Sequence, residues 1–171
     1  MKALIIIISF TIVSFANVFD AKTFKAEFKQ TITNNSQKEI IYKGNLFLKN
    51  NGNILWQYKE PLIKNVYITD GGIIIDEPEL EQAIVSNIDE SLNLITILKE
   101  SKKIDELTYE NTINDIKYTI KTYQDVLNSI FYTDNIGNKI KIVFSNSIVD
   151  ENIPDKLFEF HAPENYDIIR K

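Results

Sequence analysis

The chain has 171 residues, with 19 Lys and Arg against 24 Asp and Glu, a single His, no Cys and a formal net charge of −5. A pI near 5.0 gives no basic footprint for phosphate-driven nucleic-acid binding. The absence of Cys excludes disulfides, thiolate catalysis, zinc–thiolate and iron–sulfur sites, and a lipid anchor on an N-terminal Cys; one histidine, His161, excludes a multi-histidine metal site.

The first predicted element is an address. Met1-Lys2 precedes an apolar run over 3–15 that contains Ile5-Ile6-Ile7-Ile8, and Ser14-Phe15-Ala16 places small residues at −3 and −1 of a cut after Ala16. That layout is a secretory signal peptide over 1–16, too short for the ~20 apolar residues of a membrane-spanning helix. Removing it leaves a single domain over 17–171 with a charge of −6, because Lys2 is lost. The expected product is exported, and without disulfides it is held together by burial alone.

From residue 24 onward, apolar and polar residues alternate with period two. Phe24, Ala26, Phe28, Gln30 and Ile32 share one strand face, and Lys25, Glu27, Lys29 and Thr31 the other. After the Asn34-Asn35-Ser36 turn, a strand is predicted over 40–49, then a hairpin turn at Asn50-Asn51-Gly52-Asn53 needing positive φ. Ile54, Trp56 and Tyr58 lie on one face of the next strand, which Pro61 ends. Strands are expected over 65–69, 73–75 and 80–88, with a turn at Asp70-Gly71-Gly72 and Pro78 as punctuation. Further strands are predicted over 108–113, 117–122, 127–133, 139–145 and 157–160, with a loop over 134–138. This recurrence indicates an antiparallel sheet, sandwich or barrel.

One segment breaks the rhythm. Residues 89–102 carry Leu92, Leu94, Ile95 and Leu98 at helical spacing, with Asp89 placed to cap the start and Lys99, Lys102 and Lys103 suited to the C-terminal end of the dipole. A single amphipathic helix is therefore predicted mid-chain.

Motifs for chemistry are missing. The sequence contains no P-loop, GxSxG, HExxH or dinucleotide GxGxxG. Asp134-Asn135-Ile136-Gly137-Asn138 has the wrong spacing for a calcium loop and reads as a hairpin turn. Asp76, Glu77, Glu79 and Glu81 read as a solvated strand end, and His161 as a surface or packing residue. No enzymatic activity, metal or cofactor is expected.

The inward candidates are Phe28, Leu46, Leu48, Ile54, Trp56, Tyr58, Val66 and Ile68. One face of an antiparallel sheet must be covered, and one helix is available to cover it. Periodicity leaves two readings open: a filled barrel core, or a cavity for an apolar ligand under a helical lid.

Several segments, in order, resemble the LolA family of periplasmic lipoprotein carriers. Phe24-Lys25-Ala26-Glu27-Phe28-Lys29-Gln30 is similar to the family's F-x-A-x-F-x-Q, and Gly44-Asn45-Leu46-Phe47-Leu48-Lys49 to its G-x-L-W-L-K. Ile54-Leu55-Trp56-Gln57-Tyr58 through Pro61 resembles F-x-W-x-Y-x-x-P, Ile68-Thr69-Asp70-Gly71 resembles V-S-D-G, and Leu157-Phe158-Glu159-Phe160 with Pro163 resembles F-x-F-x-x-P; Pro78 followed by Gln82 also fits.

The resemblance implies an incomplete, unclosed antiparallel β-barrel of about eleven strands, with an α lid over an apolar cavity. It implies a monomeric periplasmic chaperone that accepts acylated lipoproteins from an inner-membrane ABC transporter and delivers them to an outer-membrane acceptor, LolB-like or otherwise. The eight inward residues would then form the acyl-binding cavity, and Leu94, Ile95 and Leu98 the lid. The same half-barrel could alternatively carry or sense other lipids or glycolipids. Two departures stand out. Where the family has an Arg that latches the lid, this chain has Asn50, and where the family is aromatic it has Ile75-Asp76-Glu77-Pro78. A looser or differently held lid is expected.

Overall fold

A computed structural model describes residues 20–87 and 94–171. Twelve strands form one continuous sheet. The first six run as a meander: β1 (Thr23–Thr33), β2 (Glu39–Lys49), β3 (Ile54–Glu60), β4 (Lys64–Thr69), β5 (Gly72–Glu77) and β6 (Gln82–Ser86). A short helix, α1 (Leu94–Lys99), leads to β7 (Lys102–Lys103), β8 (Thr108–Ile113), β9 (Ile116–Tyr123), β10 (Val126–Thr133) and β11 (Lys139–Val149), and β12 (Asp167–Arg170) ends the chain.

The spatial order is β12-β6-β5-β4-β3-β2-β1-β11-β10-β9-β8-β7. The two meanders therefore join where β11 pairs with β1, from Phe24 opposite Val149 to Thr33 opposite Lys139. Every pairing is antiparallel except that of β12 with β6. Strands β12 and β7 are the two ends of the sheet and do not meet, so the barrel is unclosed.

Turn chemistry fixes the register. Gly52 takes φ 109° between β2 and β3, as the sequence requires, and Gly72 takes φ 121° at the start of β5. Asn114-Asp115 and Gln124-Asp125 hold both central residues at positive φ, which matches the right-handed twist of the flanking strands. In the 134–138 turn, the Asp134 carboxylate accepts the backbone N–H groups of Ile136 (3.1 Å) and Asn138 (2.8 Å).

The alternation resolves into two faces. The inner face buries Phe24, Ala26 and Phe28 of β1, Leu46 and Leu48 of β2, Ile54 of β3, Ile68 of β4 and Ile73 of β5, and continues through Tyr118, Ile120, Ile130, Ile142 and Phe144 on the other meander. A smaller cluster of Leu55, Ile153 and Phe158 covers part of the outer face beside Phe47 and Tyr67.

Three expected elements are corrected. Residues 157–160 are not a strand: Asp155–Phe158 is a 3-10 turn that packs Phe158 on the outer face of the sheet. A short apolar run has no periodicity that separates the two outcomes. Lys102 does not close the helix but belongs to β7, and residues 78–80 form a 3-10 turn before β6. The leader over 1–16, Asp89 and Leu92 lie outside the described residues.

Among the glycines, Gly44 has the closest neighbours. A Cβ there would sit 1.9 Å from the Gln57 carbonyl oxygen and 2.9 Å from the Phe28 ring. Neither the backbone of β3 nor the buried ring can yield. Gly44→Ala is expected to destabilise the protein by about 2–3 kcal/mol, as overpacking at a rigid site does. Chemical denaturation checks this, and a shift under about 0.5 kcal/mol, the range of a neutral surface change, would contradict the close approach.

Candidate functional site

A pocket of about 260 Å³ lies between the inner face of the sheet and α1. One wall comes from β3, β4 and β5: Trp56 and Tyr58, then Lys64, Val66 and Ile68, then Ile75. The facing wall comes from β1 and β9 to β11, through Gln30, Tyr118, Ile130, Tyr132 and Ile142. Leu94 and Ile97 of α1 close it from above. These positions follow from the pleat, since residues two apart on one strand share a face.

Four of the eight inward candidates line this pocket, namely Trp56, Tyr58, Val66 and Ile68. Phe28, Leu46, Leu48 and Ile54 lie beneath it as packed core, Leu46 and Ile54 with no exposed surface at all. Phe28 sets the pose of two lining rings: Trp56 and Tyr58 meet it edge-on, with centroids 5.0 Å and 5.1 Å away.

Of the three lid candidates, Leu94 reaches the pocket, while Ile95 and Leu98 are buried beside it. The expected set lacked Lys64, Ile75 and the whole facing wall from β1 and β9 to β11, and, on the helix, Ile97. Its signal was present, because Ile97 stands three residues after Leu94 on the same helical face.

Helix α1 has six residues, four of them buried. Those buried side chains, Leu94, Ile95, Ile97 and Leu98, hold it against the sheet. Two polar ties flank them. The Asn111 side-chain N–H donates to the Ile97 carbonyl at 3.3 Å, and the Lys99 ammonium donates to the Asn50 carbonyl at 3.2 Å. At position 50 the tie therefore runs from the helix side chain to the loop backbone. The loop is in turn fixed by the Asn50 N–H, which donates to the Lys22 carbonyl at 2.9 Å.

The pocket has one polar corner. The Tyr58 hydroxyl donates to Gln30 Oε1 at 3.1 Å, and Tyr42 packs edge-on against the Tyr58 ring at 5.7 Å. The Lys64 ammonium stands 4.7 Å from the Tyr58 ring centre and 6.0 Å from that of Tyr42. Burial, reinforced by Tyr132 and Tyr42, holds the Tyr58 hydroxyl well above the ordinary tyrosine range. Burial also raises Tyr132, with Tyr118 and Asp134 adding to the effect, and pushes it up to about 12. Both phenols thus stay neutral throughout the physiological range.

A larger, open groove of about 760 Å³ lies across β1, β2 and β9 to β11, and most of its lining has the outward parity, including Lys29, Thr31, Phe131 and Lys141. Among the described residues no group of three or more His, Asp or Glu side chains could hold a metal ion. No helix among them is long and apolar enough to cross a membrane.

Comparison with known proteins gives a consistent result. The family model described as outer membrane lipoprotein carrier protein LolA matches residues 20–161. The outer-membrane lipoprotein carrier protein of Wolinella succinogenes is 31% identical over 172 residues, covering 100% of both chains. That of Helicobacter pylori is 34% identical over 151 residues, 88% of this chain and 81% of the relative, and that of Campylobacter jejuni 33% identical over 156 residues, 91% of each. Among solved structures, a LolA superfamily protein from Nitrosomonas europaea superposes with a TM-score of 0.51 at 13% identity, covering 82% of this chain and 91% of that one. A conserved protein from Thermus thermophilus gives 0.58 at 8% identity, covering 90% and 93%. These two likenesses concern the fold.

Two expectations follow from this geometry. Lys99→Met removes the tie to Asn50, and since that lysine is exposed the loss is at most about 1 kcal/mol. Amide exchange in α1 is expected to quicken by up to about fivefold, while β1 and β11 stay unchanged in the same hydrogen-exchange experiment. At high pH, an unfolded tyrosine ionises near 10, whereas Tyr132 in the fold keeps its proton to about 12 and Tyr58 beyond. The unfolded state thus sheds protons first, and stability should fall as pH rises from about 10 towards the folded values. Absorbance titration of the phenols together with thermal melts reads both effects.

Proposed function

The chain belongs to the family of the outer membrane lipoprotein carrier protein LolA, and from that premise we propose that it is a lipoprotein chaperone of the periplasm. In this reading it accepts acylated lipoproteins released from the inner membrane by an ABC transporter and delivers them to an outer-membrane acceptor. The acyl chains occupy the space between the inner face of the sheet and α1. The observation that carries the reading is the apolar pocket, roofed by a six-residue helix in a barrel that does not close.

The physical argument starts from the cargo. Each methylene moved out of water is worth about 0.8 kcal/mol. A lipoprotein with several long chains cannot diffuse across an aqueous compartment unless a partner shields them. Trp56, Val66, Ile68 and Ile75 offer a wall that shields without directional bonds, so affinity grows with buried length and no single contact traps the cargo.

The pocket as it stands holds about 260 Å³, below the roughly 300–1,000 Å³ typical of sites for drug-sized ligands. Several acyl chains need more, so loading requires α1 to move off the sheet. The ties to the Asn50 carbonyl and from Asn111 are among the directional bonds to break.

Val66→Glu tests the wall. Val66 is half-buried and lines the pocket, so its replacement by a carboxylate is expected to leave the fold intact while abolishing lipoprotein delivery. Ile54→Glu is a poorer probe: Ile54 is fully buried beneath the pocket, and an unpaired carboxylate there destabilises the fold itself. The measurement is complementation in a depleted strain of the native bacterium, scoring whether lipoproteins stay in the inner membrane. Normal delivery by a folded Val66→Glu variant would refute the assignment of this wall to cargo.

A further inference from the structure

Lys64 is a cation on the wrong face. In β4 it shares parity with Val66 and Ile68, so its stem points inward with the apolar set, and it lines the pocket beside them. Its register partner across β3 is Tyr58, whose ring its ammonium caps. Among the described residues no carboxylate lies within ion-pair distance of Lys64, and its ammonium meets two aromatic rings instead. Other inward positions on β3 to β5 that reach the pocket are aromatic or aliphatic. An ammonium that meets only aromatic rings has N–H groups free to receive an anionic partner.

The groups around Lys64 narrow the ligand. Gln30 accepts the Tyr58 hydroxyl on its Oε1, and its amide N–H groups add donors to this corner. Lys64 brings N–H donors and no acceptor. This corner therefore presents donors and a positive charge, and the pocket lining contains no acidic residue. The matching head group is an anion that only accepts hydrogen bonds, and the rest of the pocket demands an aliphatic tail. Size limits the tail: about 260 Å³ is below the roughly 300–1,000 Å³ of drug-sized ligand sites, which favours one short chain.

We propose that the closed pocket binds one single-chain fatty carboxylate, with its head on Lys64 beside Gln30 and its tail running along Trp56, Val66 and Ile97. The inference uses the pocket of the carrier reading but not its cargo, since a single short tail fits without displacement of α1. The positive charge of Lys64, with no acidic residue in the lining, distinguishes this ligand from a neutral lipid of the same length.

Trp56 is the sole tryptophan and lines the pocket, so its emission reports occupancy directly. Decanoate, titrated at neutral pH below its micellar concentration into the chain from residue 17 onward, is expected to shift that emission saturably. Decanol, with the same tail and no charge, should bind about tenfold more weakly, the scale of one charge-assisted hydrogen bond. Lys64→Met should weaken decanoate about tenfold, leave decanol unchanged, and be rescued by Lys64→Arg. Equal binding of decanoate and decanol overturns the proposal, as does undiminished decanoate binding by Lys64→Met. Lipoprotein delivery in cells is scored separately, so a failure here leaves the carrier reading standing, and the reverse also holds.

Discussion

The structure depends on one unmet requirement: a twelve-stranded sheet has an inner face that must be kept from water, and its two end strands do not meet to enclose it. Packing of the two meanders across β1 and β11 covers the centre of that face, where Phe24, Phe28, Trp56 and Phe144 interlock through ring contacts. Towards β4 and β5 on one side and β9 and β10 on the other, the walls diverge and side chains no longer span the gap. Among the described residues α1 (Leu94–Lys99) lies over that gap, and a pocket of about 260 Å³ remains between it and the sheet.

The outer face meets the opposite demand. Leu55 is almost fully buried although its parity points away from the pocket, because Ile153 and Phe158 of the C-terminal segment lie over it. Lys49 adds an ion pair to Asp155 at the edge of this cover. Strand β3 is thus buried on both faces at its N-terminal end, where Ile54 and Leu55 are adjacent in sequence and both essentially without exposure. That double burial gives Trp56 a rigid base, and the pocket wall at β3 is held in place from behind. Asp76 sits on the outer face of the neighbouring strands, with one oxygen accepting from Asn65 at 2.9 Å and the other buried without a partner.

How much of this was legible depended on whether the signal was local. The strands of β1 to β5 and β8 to β11 announce themselves through period-two alternation, and the turns through Gly52, Gly72 and Asn114-Asp115, whose positive φ only certain residues accept. Strand β12 was missed, because all four of its residues are exposed and it pairs in parallel with β6 at the edge, where no burial pattern is imposed. The division of the inward set was not legible either. Phe28, Leu46, Leu48 and Ile54 have the same parity and chemistry as Trp56 and Val66, and only the curvature of the sheet decides which lie under the pocket and which line it. Lys64 falls just outside the strand expected over 65–69, whereas β4 starts with it. The register that places it opposite Tyr58, on the inner face, is a tertiary fact.

In the proposed carrier role, α1 would let the pocket both hold a long apolar chain and release it. Leu94, Ile95, Ile97 and Leu98 each represent roughly 1.5–3 kcal/mol of burial against the sheet. At about 0.8 kcal/mol per methylene, two to four methylenes of an acyl chain replace one such side chain. Helix and ligand are thus interchangeable covers for the same wall. Exchange between them leaves the inner face dry throughout, and the net free energy is a difference of similar terms rather than the whole burial of either. Directional bonds bias the exchange as well, among them those of Lys99 to the Asn50 carbonyl and of Asn111 to the Ile97 carbonyl, each worth at most about 1 kcal/mol net. In the proposed role, helix and load of comparable burial would compete for one wall, so that an apolar chain would be taken up and given back without an external energy source at the carrier itself.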